Sequence, residues 1–107
     1  MNRPYILTIP ENVGELRDHL SDMLLSSPAF VDTTGYFPGA NIDTTFAEFN
    51  DGLLKVRKQL GEQRYLTMRA LSDEMRAHFE ADPEDVNGRA RAGRKIILEM
   101  TEMLKRR

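Results

Sequence analysis

The sequence predicts an all-α fold: a small four-helix bundle-like domain with an N-terminal extended segment and a long aromatic loop between helices 1 and 2. Three observations carry this. Four stretches repeat apolar residues at spacings of three and four, each is bracketed by helix start and stop residues, and there are no internal repeats. With 107 residues the chain supplies one core, so 1–107 is read as a single helical domain with helices near 12–27, 44–60, 63–81 and 89–105.

The first helix opens at Asn12, a good N-cap, with Glu15 three residues on as the returning half of a capping box. Val13, Leu16, Leu20, Met23, Leu24 and Ser27 then fall on one stripe, and Pro28 ends the run. From Pro28 to Asp43, Thr33-Thr34-Gly35 and Pro38-Gly39 signal turns, and Phe30, Tyr36 and Phe37 give this loop three of the chain's eight aromatic residues. Aromatics argue for a loop that folds back over the core. Ala29–Val31, Gly35–Phe37 and Tyr5–Ile9 have the composition of short strands, a marginal element at that size.

The second helix is expected to open at Asp43 or Thr44, with Glu48 placed to suit the dipole. Ile42, Phe46, Phe49, Leu53, Val56 and Leu60 then run at spacings of 4, 3, 4, 3 and 4, the most regular seam in the chain. Because this seam crosses Asn50-Asp51-Gly52 in register, a continuous helix is expected there at a glycine cost of ~1 kcal/mol. Gly61 reads as a left-handed cap.

Glu62 and Gln63 read as a short link into the third helix, whose stripe is Met68, Leu71, Ser72, Met75 and Phe79. Leu66, Ala70, Ala77 and Ala81 lie on its other side, a face open to a homodimer partner or simply rich in the best helix former. Asp82-Pro83-Glu84-Asp85 is a helix-start signature, so one turn is expected there. After a break at Asn87-Gly88, Gly93, Ile96, Ile97, Met100, Met103 and Leu104 line the last helix, and Lys105-Arg106-Arg107 suit its C-terminal dipole.

Function is read mainly by exclusion. The absence of cysteine excludes a disulfide scaffold, a zinc ribbon and a thiol nucleophile, and favours the cytoplasm. Tyr5-Ile6-Leu7 is too short for a signal peptide or a membrane span. No Gly-x-Ser-x-Gly turn and no phosphate-cradling glycine loop occurs, so no catalytic residue and no cofactor is assigned.

The charge is divided unevenly. Residues 1–54 hold two basic and eight acidic residues, and residues 55–107 hold thirteen basic and nine acidic. The two halves can pair internally or offer surfaces to partners.

The preferred reading is a non-enzymatic protein-interaction module, a regulator, adaptor or immunity-type inhibitor. Glu15, Asp18 and Asp22 would steer a basic protein partner, and Tyr36 and Phe37 would supply contact area. The first alternative is nucleic-acid binding through Arg89, Arg91, Arg94 and Lys95, which crowd the start of the last helix. The second is a small metal-dependent enzyme around His78, spaced i, i+4, i+8 with Glu74 and Asp82; Glu15, His19 and Asp22 form a similar set, and solvated pairing explains both.

Overall fold

The computed structural model describes residues 8–31 and 39–105. Among these residues there are five helices and no strand, so the chain is all-α. They are α1 (Val13–Ser26), α2 (Ile42–Lys55), α3 (Arg57–Leu60), α4 (Glu62–Glu80) and α5 (Arg89–Lys105). The expectations for Tyr5–Leu7, Gly35, Tyr36, Phe37, Arg106 and Arg107 lie outside the described residues.

Each start has a local cause. Asn12 accepts from the Glu15 N–H at 2.8 Å while Glu15 accepts from the Glu11 N–H and the Asn12 side-chain amide, both at 3.1 Å, which fixes the first turn of α1. The second helix begins earlier than expected because Asn41, not Asp43 or Thr44, is its cap. Asn41 accepts from the Thr44 N–H and the Thr44 hydroxyl accepts from the Asn41 N–H, both at 2.9 Å.

The expected continuous helix 44–60 is two helices. It passes Gly52 without interruption and breaks at Val56, whose φ of −97° and ψ of 9° leave the helical region. Gly61, at φ +83° and ψ 154°, has the positive φ expected of a glycine but an extended ψ, so it is a sharp corner rather than a left-handed cap. Helix α4 starts at once on Glu62, and the expected Glu62-Gln63 link is already helical.

Packing follows the apolar stripes. Helix α4 packs on α5, α1 on α5, α2 on α4 and α1 on α2, so the four longer helices enclose one core. Phe30, from the segment after α1, stands edge-on to Phe46 of α2 at 5.7 Å and to Phe79 of α4 at 5.1 Å. All three rings are buried, along with Leu16, Leu20, Leu53, Met75 and Met100. Gly93 lets α5 approach α4, because a Cβ there would lie 2.7 Å from the Phe79 ring.

The Asp82-Pro83-Glu84-Asp85 signature works differently from expectation. These residues form a turn and no helical turn. Asp82 is buried, and its carboxylate accepts from the N–H groups of Val86 (2.7 Å), Asn87 (3.2 Å) and Ala90 (2.9 Å), so it ties the turn to the first turn of α5. Burial pushes its pKa up, but the N–H donors of Ala90, Val86, Asn87 and Arg89 together outweigh that, and the carboxyl titrates below the ordinary aspartate range.

Candidate functional site

The site is built where the segment before α1 folds down between α1 and α2. Three residues of α2 spaced i, i+4 and i+7 hold this segment. Glu48 accepts from the Thr8 N–H at 2.6 Å, Gly52 receives the Pro10 ring with no side chain in the way, and Lys55 pairs with Glu11 at 3.2 Å. Glu48 is therefore buried beneath the segment, and the dipole role read from its position is not what places it there.

On the other side of this segment, Glu15, Asp18, His19 and Asp22 of α1 line a cleft of about 190 Å³ together with Thr8, Ile9 and Pro10. The three acidic residues singled out in the sequence thus share one feature of the surface. Glu15 is committed in part to the helix cap. Asp18 and Asp22 are exposed, and neither side chain has a hydrogen-bond or ion-pair partner among the described residues.

His19 is not the solvated member of an i, i+4 set that the sequence suggested. Its imidazole is largely covered, with Nε2 3.6 Å from Glu48 Oε1 and the ring centroid 6.0 Å from that of Phe49. Burial lowers its pKa below the ordinary histidine value, against the opposing pull of Glu48 and Asp22. The carboxylate facing Nε2 favours a proton on that nitrogen, and the buried Nδ1 has no hydrogen-bond partner among the described residues. At neutral pH the wall of the cleft is a neutral ring beside the exposed side chains of Asp18 and Asp22.

One residue of this face escaped the sequence reading. Leu25 extends the row 15, 18, 22 by three more positions and is 85% exposed, the largest value among the large apolar side chains of the described residues. Its signal was present in the spacing, but an isolated leucine next to a core stripe reads as part of the core.

The basic cluster is dispersed. Arg89 Nε donates to His78 Nδ1 at 2.9 Å, and Arg94 grips both oxygens of Asp85 at 3.1 and 3.0 Å and reaches Ser27 Oγ at 3.4 Å. Arg91 and Lys95 alone of the four are exposed without such partners among the described residues. The Glu74, His78, Asp82 row is likewise drawn apart, since Asp82 faces the backbone of α5 and His78 Nδ1 faces Arg89. No group of three His, Asp or Glu side chains among the described residues is arranged to hold a metal.

Tyr36 and Phe37, the expected aromatic contact residues, lie outside the described residues. No described helix is long and apolar enough to cross a membrane. Comparisons of the chain with protein-family models, with curated proteins and with solved structures return no match.

Proposed function

We propose that the chain is a non-enzymatic helical interaction module, a regulator, adaptor or immunity-type inhibitor of the cytoplasm, that binds a basic protein partner through the outer face of α1. The observation that supports this reading is the pair Asp18 and Asp22, two exposed acidic side chains with no hydrogen-bond or ion-pair partner among the described residues, beside a partly apolar cleft. Free charges of one sign steer an oppositely charged partner, and Leu25 with the Ile9 and Pro10 wall supplies apolar area for it to cover. Tyr36 and Phe37 remain in the proposal on their sequence context alone.

Affinity capture from the native host tests the reading, with the wild-type chain and the Asp18→Asn/Asp22→Asn variant as baits. A basic partner held by the wild type, released by salt and missing from the variant supports it; identical captured sets contradict it. Nucleic-acid binding through Arg91 and Lys95 is the second reading, favoured by their exposure, and a salt-dependent gel shift distinguishes it. Leu66, Ala70, Ala77 and Ala81 are all exposed, so a homodimer through α4 is a further proposal that light scattering decides.

A further inference from the structure

We propose that the groove at the end of the molecule where α1 begins and α5 finishes is a binding site for a small organic anion with an apolar body, such as a carboxylate on a short hydrocarbon. The groove has a volume of about 410 Å³, within the size range of small-molecule sites. Three cations line it, Arg17 of α1, Arg64 of α4 and Lys105 of α5, and no carboxylate side chain among the described residues does. Val13, Leu60 and Leu104 provide the apolar wall, the last two being almost completely buried.

Each of the three cations keeps donors for an anion. Arg17 is partly buried, yet its guanidinium has no hydrogen-bond or ion-pair partner among the described residues. Four other arginines are matched with acids, Arg57 with Glu62, Arg69 with Asp73, Arg76 with Asp43 and Arg94 with Asp85. Arg64 donates from Nη2 to the Met103 carbonyl at 2.9 Å, which anchors the guanidinium at the groove and leaves its other N–H groups to a ligand. Among the described residues Lys105 pairs with Glu102, at 3.4 Å, and both side chains are more than half exposed, so that pairing is weak and easily exchanged.

Three like charges converging on a groove with apolar walls repel one another, and an anion seated among them removes that cost. The anionic group would lie against Arg17 and Arg64, whose planar donors suit a carboxylate or phosphate, and the hydrocarbon would lie along Val13, the partly exposed residue of the apolar wall. No single stretch of sequence announces this site, because its residues come from four helices.

Isothermal titration with sodium octanoate and with inorganic phosphate tests the proposal, alongside methyl NMR of the same samples. Octanoate is expected to bind saturably at one site, with methyl shifts concentrated at Val13, Leu60 and Leu104, and phosphate is expected to compete more weakly. Arg17→Gln should weaken octanoate about tenfold, while Lys95→Gln, the same charge change elsewhere, should alter it by less than about twofold. Circular dichroism confirms that each variant is folded. Absence of saturable octanoate binding, equal effects of the two substitutions, or methyl shifts away from these residues would overturn the site. Phosphate binding as tight as octanoate would overturn the apolar part of the ligand.

Discussion

Gly52 of α2 and Pro10 of the segment before α1 touch so closely that a Cβ on Gly52 would lie 3.0 Å from three carbons of the proline ring. A glycine in mid-helix, costly on its own, is thereby explained by a partner 42 positions away in the chain.

Gly52→Ala is expected to destabilise the protein although it improves helix propensity. Overpacking against the buried Pro10 costs about 1–3 kcal/mol, against a propensity gain of ~1 kcal/mol. In a Pro10→Gly background the same substitution should become neutral or stabilising, because all three ring carbons that a Cβ on Gly52 would meet are gone. Urea denaturation of the four chains measures this, and an equal loss in both backgrounds would refute the contact.

Asp82 should contribute an acid-sensitive share of stability. Its folded pKa lies below its unfolded one, so the contribution is full above about pH 4 and is lost as pH falls through the folded value. Asp82→Asn should lower the urea midpoint at pH 7 and flatten the decline of stability below about pH 4. Amide exchange should quicken first at Val86, Asn87 and Ala90, whose N–H groups the carboxylate holds. Unchanged exchange at all three would contradict the assignment.

His19 acts in a different pH window. Its folded pKa is lowered, so above about pH 6.5 both folded and unfolded states carry a neutral ring and the residue adds no pH dependence. As pH falls below about 6.5 the unfolded chain takes up the proton first, and the folded state loses ground. The urea midpoint of the wild type should fall between pH 7.5 and 5.5 more than that of His19→Gln. Parallel slopes would show that His19 is not held neutral.

Much of the fold was legible because it rests on local periodicity. Ile42, Phe46, Phe49, Leu53, Val56 and Leu60 were read as one seam, and all are buried except Ile42, which is partly buried. The break at Val56 was not legible, since an apolar seam in register gives no sign of a local change in φ and ψ. The helix was read correctly through Gly52, but the partners of Glu48 and Gly52, Thr8 and Pro10, were not legible because they are distant in sequence and periodicity carries no long-range information.

Asp82 shows how a correct local signal can be assigned to the wrong helix. An aspartate before a proline suits a helix start, but its carboxylate serves the helix that begins at Arg89. At the candidate site the acidic row of α1 was legible, because spacing puts charges on one face. The covered state of His19 and the internal pairing of Arg89 and Arg94 depended on tertiary neighbours.

The most direct test of the proposed interaction is a heteronuclear NMR titration of the labelled chain with the basic partner recovered by capture. Amide shifts and line broadening are expected to cluster at Glu15, Asp18, Asp22 and Leu25, and to fade as salt is raised. Changes centred instead on Arg91 and Lys95, with α1 unaffected, would contradict the account.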